Sequence, residues 1–183
     1  MIILLLFIWS FNEPTIDRDA LCSSEAFAWR KDRKLQWSDF VGTNPEQNID
    51  KHQDAAHNYY IHMHSVYKTA NVPQYTIINF FLPQQAWVIR QSTELLEHEQ
   101  LHFDITELVS RKLRYSLDSL TNLNESKNDL YTGIIDKFQN QLIVDHANLD
   151  RGTVHGTRYK SQQRWRIHID KELSKTDSLY RAY

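Results

Sequence analysis

Ser92-Thr93-Glu94-Leu95-Leu96-Glu97-His98-Glu99-Gln100-Leu101-His102-Phe103-Asp104-Ile105 is the stretch on which the reading of this chain turns. Ser92 and Thr93 are residue types that cap helix N-termini, and Glu94 and Glu97 complement the positive end of a helix dipole. Leu101, Ile105, Leu108 and Val109 recur at helical spacing, so a helix is expected from Thr93 to about Leu117. Residues four apart on a helix lie within about 40° of one another around its axis, so the imidazoles of His98 and His102 can both point at one ion. Glu99 flanks that face. Zinc held by neutral histidine nitrogens keeps an open position and lowers the pKa of water there to about 7, and a carboxylate just after the first ligand is placed to take the proton. The expected chemistry is zinc-assisted attack of water on a carbonyl, with His98 and His102 as metal ligands and Glu99 as the general base. The competing reading is a surface helix with two solvated histidines.

A catalytic zinc usually takes three protein ligands. A metzincin would place Gly three residues and His six residues after the second ligand; Ile105 and Leu108 stand there, which excludes that class. Asp104 and Glu107 lie about 160° and about 140° from His102 around the helix, so they are read as residues behind the ligands or in solvent. The later glutamates, Glu125 and Glu172, fall in a polar connector and near the tail. His155 stands in Asp150-Arg151-Gly152-Thr153-Val154-His155-Gly156, which holds two of the chain's four glycines, as a tight exposed turn requires. Such a turn can present a ligand across to a helix, and His155 is the expected third ligand. His146 is its nearest competitor. His62 and His64 share one strand face, with Ile61 and Met63 on the opposite, core-facing side.

The 183 residues fit one domain, without internal repeats or an obvious linker. A formal charge of −2 with interspersed signs, and no basic stripe beside the aromatics, argues against a nucleic-acid partner. Met1–Trp9 is uninterrupted apolar sequence, too short for an ordinary transmembrane helix and similar to the hydrophobic region of a signal peptide. Residues 1–22 are therefore expected to be an export leader and residues 23–183 the catalytic domain, periplasmic or secreted, with no stable membrane span once the leader is removed. A buried N-terminal strand is the alternative. Cys22 is the only cysteine, so no intrachain disulfide and no thiolate metal cluster can form.

The expected fold class is α+β, an N-terminal antiparallel sheet followed by the active-site helix and C-terminal helices. Phe27–Trp29 and Leu35–Phe40 read as short extended segments, and a polar loop runs to about Ala55. Tyr59–Tyr67 and Tyr75–Leu82 read as a hairpin joined through Thr69–Pro73, and Ala86–Ile89 as one more short strand. Beyond the metal helix, Leu130, Ile134, Phe138 and Leu142 mark a helix face running to about Ala147; residues 150–157 read as a turn, and Trp165, Ile169 and Leu173 as a last helix. Trp37, Trp87 and Trp165 are read as core anchors.

These blocks resemble a bacterial domain family described as predicted secreted zinc-dependent proteases. The resemblance rests on His98-Glu99-Gln100-Leu101-His102-Phe103-Asp104-Ile105, on Leu35-Gln36-Trp37-Ser38-Asp39-Phe40-Val41-Gly42, and on Thr153-Val154-His155-Gly156 with Gln162-Gln163-Arg164-Trp165, covering about Phe27 to Leu173. It implies a zincin-like protease acting on peptide or protein, with His98, His102 and His155 on zinc, Glu99 as base, and export. Leu149 stands where the family carries an aromatic residue, and the role of Asp150 stays open. A sheet edge, at Tyr75–Leu82 or Ala86–Ile89, would hold an extended substrate, and Tyr159, Arg158 and His146 are candidates to assist the oxyanion. A zinc amidase acting on cell-wall peptide, and a metal-stabilised binding module without turnover, are the rival readings. Oligomeric state is not legible.

Overall fold

A computed structural model describes residues 26–43, 54–56, 59–67 and 71–177. The leader expected over residues 1–22, Cys22 with it, most of the loop after Gly42, and residues 69 and 70 of the hairpin connection lie outside the described residues. Among the described residues the architecture is α+β: a three-stranded antiparallel sheet, a two-stranded one and three α-helices. The β-branched and aromatic residues of the hairpin form β3 (Tyr59–Tyr67) and β4 (Pro73–Phe81), paired so that Ile61 faces Asn79 and Met63 faces Ile77 across the ladder. Period-two alternation then buries Ile61 and Met63 and leaves His62 and His64 on the opposite, half-covered face. β1 (Phe27–Ala28) pairs with Phe81 and Phe80, giving the order β1-β4-β3. β4 is therefore the middle strand, but β1 and Trp29 cover only its Asn79–Phe81 end. The other proposed edge, Ala86–Ile89, contributes β5 (Trp87–Val88), which is paired with β2 (Ala55–Ala56).

Leu35–Phe40 departs from the extended expectation. Its centre is a 3-10 turn at Trp37–Asp39, because the Asp39 carboxylate turns back to accept the Gln36 N–H at 2.8 Å and the Arg33 guanidinium at 2.9 Å.

Helix α1 (Thr93–Asn122) begins where the capping residues place it, the Ser92 hydroxyl accepting the Leu95 N–H at 3.1 Å. Every residue from His98 to Arg111 is buried, so α1 is a central helix packed on all sides rather than a surface one. Its apolar residues meet the sheet, where the Phe103 and Phe81 rings sit edge to face at 5.7 Å, and Leu101, Leu113 and Leu117 are closed from solvent. Each such side chain contributes about 1.5–3 kcal/mol.

Burial on all sides obliges the polar residues of α1 to find partners inside the protein. Asp104 accepts the Trp29 indole N–H at 2.6 Å, the Gln100 amide at 2.8 Å and the Arg166 guanidinium. Arg111 pairs with Glu107 at 2.9 Å and donates to the Leu173 carbonyl at 3.0 Å. Asp104 thus ties α1 to the N-terminal segment and the last helix, and Glu107 pairs within α1 with the Arg111 that reaches the last helix, so neither stands in solvent or behind the histidines. Trp29 is the buried tryptophan anchor, whereas Trp37 and Trp165 pack half-buried against the core.

Helix α2 (Asn128–Thr153) outruns its expected end near Ala147, and α3 (Tyr159–Lys175) starts earlier than Trp165 suggested. The face α2 buries is Tyr131, Ile135, Leu142, His146, Leu149, Asp150 and Thr153; Leu130, read as part of that face, is exposed. Gly152 lies inside the helix: a Cβ there would stand 3.2 Å from the Trp165 indole nitrogen, so its missing side chain makes room for α3. Among the described residues no helix is long and apolar enough to cross a membrane.

Candidate metal centre

Because α2 continues as helix through residue 153, Asp150 falls one turn beyond His146 on the face turned to α1. There it meets the pair of histidines one turn apart on α1. His98 Nε2 and His102 Nε2 lie 3.2 Å from each other and 3.1 Å and 2.9 Å from Asp150 Oδ1. The two rings stand edge to face at 78°, and all three residues are buried. Among the described residues, His98, His102 and Asp150 form a group able to hold a metal ion.

The donor set fits an ion. Bonds of about 2.0–2.1 Å to a tetrahedral zinc set its ligand atoms about 3.3 Å apart, close to the spacing seen here. Hydrogen bonding behind His98 agrees. The Thr153 hydroxyl donates to the Leu149 carbonyl at 2.8 Å and accepts the Gly156 N–H at 3.2 Å, and His98 Nδ1 approaches it at 3.4 Å. With its own proton given to the shorter contact, the hydroxyl can accept from His98 Nδ1–H, so that with an ion in place of the proton shared with Asp150 the Nε2 lone pair would turn to the centre.

Burial, the largest influence, pulls the His102 pKa down to about 4 against the opposing pull of the Asp150 carboxylate, so the ring is neutral at neutral pH. For Asp150, burial raises the pKa, but the ring nitrogens of His102 and His98 outweigh it and hold the carboxyl well below the ordinary range. A neutral imidazole and an ionised carboxylate are the states a metal requires. Glu99 is buried beside this group, near enough for its charge to act on His102.

His155, the expected third ligand, stands at the rim. Val154 and His155 both have φ 51° and Gly156 has φ 82°, so the chain leaves α2 through three successive left-handed residues. This turn brings His155 Nδ1 to 3.6 Å from Asp150 Oδ1 while the side chain remains 43% exposed. Its ring is not among the atoms that converge with His98 and His102. His146 is fully buried behind His102, its Nδ1 2.8 Å from His102 Nδ1 and its Nε2 3.3 Å from the Thr106 hydroxyl. Tyr159 and Arg158 are exposed at the start of α3. His62 and His64 lie on the sheet, outside the group.

The sequence reading weighed His146 only as a ligand or oxyanion candidate, left the role of Asp150 open and missed Thr153, because two nearby glycines suggested that the helix had ended. The signal was present: Leu142, His146 and Asp150 are spaced by four residues, and Thr153 continues the same stripe. No family model, curated protein or solved structure matches this chain.

Proposed function

We propose that the protein is a zinc-dependent, zincin-like metallopeptidase in which His98, His102 and Asp150 hold the ion and Glu99 is the general base. The observation that carries this reading is the convergence of three lone-pair donors, at 2.9–3.2 Å, on a helix whose next residue after the first histidine is a buried glutamate. A bound zinc supplies Lewis acidity and lowers the pKa of water to about 7. Glu99 takes a proton from water as its oxygen bonds to the peptide carbon, and returns that proton to the amine nitrogen as the C–N bond breaks. His155, at the exposed rim, is the donor that meets the carbonyl oxygen as negative charge develops on it. The motif blocks that resemble the predicted secreted zinc proteases support His98 and His102 as ligands and Glu99 as base; they imply His155 for the third position, where this reading puts Asp150.

The test is zinc content together with cleavage of an unfolded protein and of a cell-wall muropeptide. Wild type should bind one zinc per chain and cut the unfolded protein; Glu99→Gln should keep the zinc and lose about 10²–10⁴ in rate. Muropeptide cleavage alone points to the amidase. A wild-type protein that takes up no zinc removes the proposal.

A further inference from the structure

The mechanism above leaves the fully buried imidazole of His146 unused. His146 Nδ1 faces His102 Nδ1 at 2.8 Å, and at that separation one of the two nitrogens carries a hydrogen and the other a lone pair. Which one it is can be read from the hydroxyl behind them. Thr106 Oγ1 lies 3.0 Å from the His102 carbonyl and 3.3 Å from His146 Nε2. A carbonyl can only accept, so the shorter contact takes the hydroxyl proton, and the hydroxyl oxygen is left to accept from His146 Nε2–H. With a metal ion in place of the proton that Asp150 Oδ1 would otherwise accept from His102 Nε2, His146 Nδ1 is the lone pair, His102 Nδ1 the donor, and His102 Nε2 turns its lone pair to the ion. The ring of hydrogen bonds closes on itself, from His102 to His146 to Thr106 and back to the His102 carbonyl.

The same device stands behind the other histidine. Thr153 gives its proton to the carbonyl four residues before it, as Thr106 does, and thereby accepts from His98 Nδ1–H. Each α1 histidine is thus backed by an acceptor that depends on a helix threonine, and the two helices supply one threonine each.

We infer that His146 is a positioning residue for metal binding: through Thr106 it holds His102 as the Nδ1–H tautomer with Nε2 presented to the ion. This rests on the metal reading of the site. It explains a histidine closed from solvent and seated beside the group without joining it. It also separates His146 from the metal-ligand and oxyanion roles its sequence position had offered.

Substitution by asparagine and by glutamine distinguishes orientation from mere packing, because an Asn side-chain oxygen falls near the position of Nδ1, whereas the longer Gln places its amide near Nε2. Zinc affinity would be measured by chelator competition, the visible spectrum of the cobalt-loaded protein recorded, and the fold of each variant checked by circular dichroism. His146→Leu and His146→Gln should weaken zinc binding about 10–100-fold and alter the cobalt spectrum, and His146→Asn should recover most of the affinity and the wild-type spectrum. Should the substituted proteins fail to fold, nitrogen-15 NMR of the histidine rings in zinc-loaded wild type reads the tautomers directly, and must show Nδ1–H on His98 and His102 and Nε2–H on His146. Zinc bound by wild type with equal affinities across the three variants, or a His146 protonated at Nδ1, overturns the inference and leaves the metal site standing. No zinc bound by wild type overturns both.

Discussion

Gly156 rests directly against His98: a β-carbon at Gly156 would lie 3.0 Å from His98 Cβ and 3.2 Å from His98 Cγ. The residue that closes the left-handed turn is therefore also the wall behind the first metal-site histidine. Gly156→Ala adds a methyl group where φ is +82° and where no space exists. A stability loss of about 1–3 kcal/mol by chemical denaturation is expected, together with weakened zinc binding as His98 is displaced. Unchanged zinc affinity would mean that the turn and the metal group are independent.

Asp150 and His155 compete for the third position, and the structure brings the carboxylate, not the rim histidine, against both α1 rings. Asp150→Asn should lower zinc affinity by more than the roughly 100-fold typical of an outer hydrogen-bond partner. His155→Ala should bind zinc nearly as wild type while losing about 10²–10³ in peptide hydrolysis, the effect of removing an oxyanion donor. The opposite pattern in a metal-binding titration would make His155 the ligand.

Acid should destabilise the metal-free protein in two successive windows. His102 has a folded pKa near 4 against 6.5 for the free side chain, so between these values the unfolded chain binds a proton that the folded one refuses, and stability rises with pH. On acidification from about pH 6.5 to 4 the loss approaches about 3 kcal/mol. Asp150, whose folded pKa is held below its usual value, adds a further loss below about pH 4, where the unfolded carboxylate protonates first. Urea melts of chelator-treated protein at pH 7, 5.5, 4 and about 3 measure both windows; a flat profile from pH 7 to 4 would contradict the burial of a neutral His102.

Asp104 belongs to the other side of α1, and its loss should separate folding from metal binding. Asp104→Asn leaves the Arg166 guanidinium and the Trp29 indole without their shared carboxylate. A cost of about 1–3 kcal/mol is expected in thermal or denaturant unfolding, since Arg166 is partly exposed and keeps Asp170. The folded fraction should bind zinc with wild-type affinity. A selective loss of metal at unchanged stability would place Asp104 in the functional site.

The helix bearing His98, Glu99 and His102 was legible in the sequence because its cap, its apolar period and its one-turn histidine spacing are all local, and each depends on residues within a few positions of one another. The hairpin was legible for the same reason, through alternation and β-branched residues. Strand order was not: whether Tyr75–Phe81 lies at an edge or in the middle depends on Phe27–Ala28, which pairs with it from far away in sequence. The polar face of α1 was misread because helix angles show that Asp104 points away from the metal residues, but not that Trp29, Gln100 and Arg166 wait for it there.

The opening motif by itself determined the chemistry on offer: two imidazoles on one helical face with a carboxylate beside them. Only the tertiary structure decided what completes it. Gly152 leaves room for the Trp165 indole where α2 passes α3, α2 runs to Thr153, and Asp150 meets both His98 and His102 while His155 stops at the rim. A group able to hold a metal joins atoms far apart in sequence, so which side chain meets the two histidines is set by where two helices pack and where one of them ends.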